Sequence, residues 1–215
     1  MADRPPLFQT GQLETDRVEA FSDGVMAVAI TLLVLEVKLP PNVRSEAELW
    51  EAVGGLLPAL GAWVISFAFI LTFWVNHHYF FSSLRKTDRG LLWLNGLFLL
   101  TVTLIPLPTA LVGAHPGWAA PLALLSGAML ATSLSFSLMR FYASFHGRLL
   151  ERPLTRQEAW QAMFRSLIGP VLYTIAIALA FIWPPGSILA QVAVLLFFFS
   201  RSPGHRHVDI AEGEP

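Results

Sequence analysis

Two carboxylates, two imidazoles, an amide and an indole stand out in this chain because they sit among apolar residues. Asp23 follows Glu19 by one helical turn, and only twelve uncharged residues separate Asp23 from Glu36. Trp74, Asn76, His77 and His78 crowd one end of a long apolar stretch, and Asn95 lies inside the next. A carboxylate near imidazoles can relay protons, bind a metal, or be held as a hydrogen-bonded anion. Metal ligation fits poorly, because neighbours such as His77 and His78 point about 100° apart on a helix. The sequence holds no nucleophile with a positioned base and no phosphate loop, so an enzyme is not expected. A secondary cation/proton transporter using Asp23 and His77 is the alternative to a passive pathway. Against it, no paired broken helices or inverted repeats are visible. His115 and His146, in a loop and at a helix end, read as surface residues.

The elements that position these groups follow from composition. Of 215 residues, 54% are hydrophobic and 13% charged, which is too little charge to hydrate a soluble domain of this size. A net charge of −1 with no basic stripe gives no reason to expect a nucleic-acid partner, and the lack of cysteine excludes disulfides. Residues 1–16 are polar and contain proline, without the apolar core of a secretory signal, so insertion is expected to rely on internal segments.

Uncharged stretches long enough for the roughly 20 residues a span needs run from Glu51 to Arg85, Gly90 to Met139 and Ser166 to Ser200. The second is cut by Ala114-His115-Pro116-Gly117 and the third by Trp183-Pro184-Pro185-Gly186, both turn signals. With a first candidate from about Val18 to Lys38, the expectation is an all-α membrane protein with six transmembrane helices. With the N-terminus inside, Arg4, Arg17, Arg85, Lys86, Arg89, Arg140, Arg148, Arg152, Arg156, Arg165, Arg201 and Arg206 share one side. Lys38 and Arg44 alone lie on the other. This asymmetry predicts that both termini are cytoplasmic. The expected organisation is a cytoplasmic segment 1–16, one transmembrane domain 17–200 and a cytoplasmic tail 201–215, in a multi-pass protein of the cell membrane.

The first helix has two faces. At about 100° per residue, Val28, Thr31, Leu32 and Leu35 share one sector, with Phe21 and Gly24 below them and Asp23 on the other side. Spacing alone also fits helix packing or lipid contact. A helix-start carboxylate can simply complement the dipole, but Asp23 lies a full turn deeper than Glu19 and predicts protein partners. Trp74, His77, His78 and Asn95 fall at similar depth, so a carboxylate satisfied by imidazole and amide donors is expected.

The run Arg17-Val18-Glu19-Ala20-Phe21-Ser22-Asp23 resembles the Arg-x-x-x-Phe-Ser-Asp signature of the transmembrane protein 175 family. These are unconventional potassium channels of endosomal, lysosomal and bacterial membranes. The similarity continues through Glu36, and Trp74, His77 and Asn95 fall where the family carries similar residues. The resemblance implies a homotetramer in membrane lipid, with the first helix of each chain lining a central pore for potassium and no cofactor. It implies a hydrophobic constriction at Val28, Leu32 and Leu35, and a selectivity role for Thr31. It further implies that Arg17, Phe21, Ser22 and Asp23 tie the first helix to the next two. Val28 departs from the expected isoleucine and implies a wider ring there. No Thr-Val-Gly-Tyr-Gly loop occurs, so a carbonyl filter is not expected, and Glu36 would attract cations at the pore mouth.

Overall fold

The computed structural model describes residues 15–38, 42–145 and 149–200. Arg4, His146, Arg148, Arg201 and Arg206, most of the expected N-terminal segment and the whole tail lie outside the described residues. Eight helices follow among the described residues: α1 (Thr15–Val34), α2 (Glu46–Gly55), α3 (Leu57–Phe81), α4 (Arg89–Thr103), α5 (Pro106–Ala114), α6 (Ala119–Phe145), α7 (Arg156–Ile182) and α8 (Pro184–Ser200).

Four stretches are long and apolar enough to cross a bilayer: Leu57–Phe81, Arg89–Ala114, Ala119–Phe145 and Arg156–Ile182. The chain is a multi-pass membrane protein. Of the six expected spans, these four stand on length and composition alone. The remaining two candidates differ from them. α8 is apolar but short, and α1 carries Asp16, Arg17, Glu19 and Asp23, so it needs partners from the others.

Local chemistry explains the boundaries. Ser45 caps α2, a short helix additional to the expected spans, by accepting the Glu48 N–H at 3.2 Å. Pro106 has no N–H to extend α4, so the third span bends between Leu104 and Ile105 and resumes as α5. Gly117, at φ 81, makes the turn into α6, a conformation that favours glycine. Thr155 and Glu158 form a reciprocal capping box at the start of α7. α1 begins at Thr15 and ends at Val34, short of the expected Lys38. Its last turn tightens, with Leu35 N–H on the Leu32 carbonyl at 3.1 Å and Glu36 N–H on Leu33 at 3.3 Å.

Because lipid is as apolar as leucine, helices in a bilayer hold together through packing and polar contacts rather than hydrophobic transfer. Hydroxyl pairs supply several of the latter here. Ser66 and Thr109 share a hydrogen bond of 2.7 Å between α3 and α5, and Thr101 and Ser135 one of 3.2 Å between α4 and α6. Ser137 and Ser166 meet at 2.6 Å between α6 and α7, and Gln191 donates to Ser126 at 2.9 Å between α8 and α6. Each contributes roughly 0.6 kcal/mol in such settings. The α3–α4 loop is tied to the α6–α7 loop by the Arg85 N–H on Leu149 at 2.8 Å and the Glu151 N–H on Ser83 at 3.0 Å.

Candidate functional site

α1 packs on α3 and α4 through Ser22, Met26, Ala29 and Leu33, spaced so that they fall on one side of the helix. The three apolar residues join a cluster with Phe69, Phe73 and Phe98. The opposite side is bare. Phe21 is 65% exposed, Val28 57%, Leu32 44% and Leu35 62%. Leu35 lies past the α-helix proper, and the tighter turn rotates it only about 20° from its α position, so it stays on the bare face. Thr31 is also on that face, and its hydroxyl donates to the Val28 carbonyl at 2.9 Å. That bond uses the only hydroxyl proton, so the lone pairs of Thr31 Oγ1 remain free to accept or to contact a cation.

The other side of α1 is fastened by polar bonds. Trp74 Nε1 donates to Asp23 Oδ1 at 2.8 Å, and His78 Nδ1 meets Glu19 Oε1 at 2.7 Å. Glu19 and Asp23 are four residues apart on α1, and Trp74 and His78 four apart on α3, with their rings stacked at 5.9 Å. The two helices therefore present matching ladders with two rungs. Deeper in, Asn95 of α4 donates from Nδ2 to Ser22 Oγ at 2.9 Å, and Ser22 donates to the Val18 carbonyl at 2.8 Å. His77 Nε2 lies 2.9 Å from Asn95 Oδ1. With the amide nitrogen committed to Ser22, Oδ1 is an acceptor and His77 must donate from Nε2. His77 is fully buried, its ring stacked on Phe81 at 4.3 Å and Phe98 at 5.4 Å, and its Nδ1 has no partner.

This corrects three expectations. Neither an imidazole nor an amide reaches Asp23. The indole of Trp74 does, because Asn95 spends both ends of its amide on His77 and Ser22. Arg17 and Phe21 do not fasten α1 to its neighbours within the chain. Both are exposed and fall on the same bare side as Val28, and no described residue pairs with Arg17. Glu19, read as a helix cap, instead pairs with His78. The Glu19–His78 rung could have been found from the matching four-residue spacings on the two helices. Glu36 is exposed with Lys38 Nζ 3.9 Å away, and His115 stacks on Trp118 at 4.5 Å in the α5–α6 turn.

Residues 17–106 match the family described as "Endosomal/lysosomal potassium channel TMEM175". A potassium channel of Chamaesiphon minutus is 39% identical over 195 residues, covering 89% of this chain and 96% of its own. A potassium channel of Streptomyces collinus is 35% identical over 195 residues, covering 88% and 94%. Among solved structures, the lysosomal potassium-selective channel TMEM175 homologue from Chamaesiphon minutus superposes with a TM-score of 0.77 at 37% identity. That match covers 88% of this chain and 98% of that one.

Proposed function

Because this chain belongs to the TMEM175 family, whose close relatives here are ion channels and not enzymes, we propose that it is a potassium-permeable channel of the cell membrane. In this reading four copies assemble around a central axis, and α1 of each lines the pore. The observation that carries it is the bare aliphatic row Val28, Leu32 and Leu35 on a helix whose other side is fastened to α3 and α4. In this reading the row meets the same row of the other copies across the pore axis.

Stacked rings of Val28, Leu32 and Leu35 close such a pore by dewetting, without a lid. Thr31, between the first two, presents oxygen lone pairs that replace part of a cation's hydration shell and give it a modest preference. Glu36 draws cations to the outer mouth, over a short range because Lys38 offsets its charge beyond the immediate contact. Asp23 and His77 serve as framework. They bond to different partners and not to each other, which does not favour a proton relay between them. The six-span reading, with 17–200 as the membrane domain, is supported by the span boundaries and by the Lys and Arg asymmetry.

Purified protein in planar bilayers under opposed potassium and sodium gradients is expected to show unitary currents with a reversal potential on the potassium side. Saturating flux without unitary steps would point to the transporter instead. Topology has its own test. A cysteine placed in the turn at Ala114–Gly117 is expected to react with an impermeant maleimide from outside, and one placed after Pro215 only after permeabilisation. External labelling after Pro215 would overturn the six-span reading.

A further inference from the structure

Where the last turns of α6 meet the start of α7 and the α3–α4 loop, a cavity of about 360 Å³ opens, walled by Phe80, Arg140, Ser144, Leu150, Leu154 and Ala162. Arg140 stands inside the span Ala119–Phe145, more than one turn before its end. A charge there needs a partner. The ion pairs of the described residues are Lys38–Glu36, His78–Glu19 and Arg152–Glu158, and none includes Arg140. Its guanidinium carbon lies 5.9 Å from the centre of the Phe136 ring, a contact that leaves its charge uncompensated. The neighbouring Arg152 is already used, donating to Glu158 at 2.6 Å, and Glu158 is further occupied by Thr155. Among the described residues, therefore, no acid pairs with Arg140, although Glu151 shares the cavity wall.

The surroundings give the depth. Phe141, Phe145, Trp160 and Phe164 form a run of ring contacts on the exposed surface of α6 and α7 at this same end. Among them Trp160 is amphipathic, and tryptophan gathers at the level of lipid headgroups. The cavity thus joins the apolar Leu150, Leu154 and Ala162 to Arg140, beside the paired Arg152 and Glu158, at the depth where a lipid changes from chain to headgroup.

We propose that this cavity seats the headgroup of a phospholipid, with its phosphate oxygens on the Arg140 guanidinium. A guanidinium matches two phosphate oxygens at once, and the Ser144 hydroxyl lines the same wall as a further donor. Glu151, the remaining acid of the wall, disfavours a doubly charged anion. The site therefore suits a phosphodiester, with one negative charge, better than free phosphate, and the apolar wall takes the glycerol and first acyl carbons.

Native mass spectrometry of protein extracted from vesicles of equimolar phosphatidylethanolamine and phosphatidylglycerol tests this. Wild type is expected to keep one phospholipid per chain under delipidation that strips the remainder. Arg140→Gln is expected to lower that retained fraction about tenfold, the equivalent of about 1.4 kcal/mol. Ala162→Leu narrows the cavity at its apolar wall without touching the charge and is expected to lower retention too, which preserves the test if Arg140→Gln does not fold. Wild-type retention in either folded variant overturns the proposal. Excess inorganic phosphate is expected to leave the bound lipid in place. Binding of phosphate with no retained lipid would assign the cation to a soluble anion and overturn it too.

Discussion

Asn95→Leu is expected to destabilise the folded chain by about 2–3 kcal/mol, more than Asp23→Ala, which is expected to cost about 1 kcal/mol. Asn95 is 3% exposed and holds three helices at one point, accepting from His77 of α3 and donating to Ser22 of α1. Leucine keeps the branching, adds bulk and removes both bonds. Ser22 loses little, since its hydroxyl still donates to Val18. His77 loses its only hydrogen-bond partner among the described residues, and its stacked ring is fully buried. Turning the ring over or changing tautomer does not rescue it, because Nδ1 has no acceptor or donor of its own. The low average for hydrogen bonds in membranes, roughly 0.6 kcal/mol, reflects reference states that find other partners. His77 has none to find. Asp23 and Trp74 are only partly buried, so truncating Asp23 leaves the indole N–H within reach of water. Denaturation midpoints of both variants in one detergent decide the order. A larger loss for Asp23→Ala would return the centre of the network to the carboxylate.

That ordering also marks how far the residues alone could be read. Charge-free runs and turn residues set the end of α3, the start of α6 and the end of α7 to within a few residues. By contrast, α6 runs six residues past Met139 and α7 begins ten before Ser166, because both helices carry charged turns at that end. On α1 the stripe of Val28, Thr31, Leu32 and Leu35 was legible from spacing, but its exposure was not, and the packing residues Ser22, Met26, Ala29 and Leu33 are identified by the structure alone. The partners of Asp23 were not legible either. α3 is apolar all round, so its sequence does not say which side meets α1. Only its rotation in the packed bundle decides that Trp74, rather than His77, faces the carboxylate. The break at Leu104–Ile105 and the short α2 were missed for a different reason. Pro106 and the Ser45 cap act on hydrogen bonds of one or two residues, below the scale on which apolar runs are counted. The motif residues Arg17 and Phe21 are exposed in the single chain, and in the proposed tetramer neighbouring copies would meet them.

Leu32→Asn is expected to raise open probability at least about tenfold, a lowering of the closing free energy by about 1.4 kcal/mol. Asparagine is smaller than leucine and of similar branching, and the proposed tetramer puts four such amides into one ring. A pore closed by dewetting stays shut because water inside it lacks hydrogen-bond partners. Four amides supply several at once, so a single substitution has a collective effect. Thr31→Val separates this gate from selectivity. Valine matches the shape of threonine but removes the oxygen whose lone pairs are left free by the bond to Val28. Open probability should then change little, while potassium preference over sodium falls. If the bare row of α1 instead faced lipid, Leu32→Asn would only expose an amide to acyl chains. The protein would then lose stability, and its unitary currents would keep wild-type open times. Recording both variants and wild type in the same bilayers distinguishes these cases, and an unchanged open probability for Leu32→Asn would remove Leu32 from the constriction.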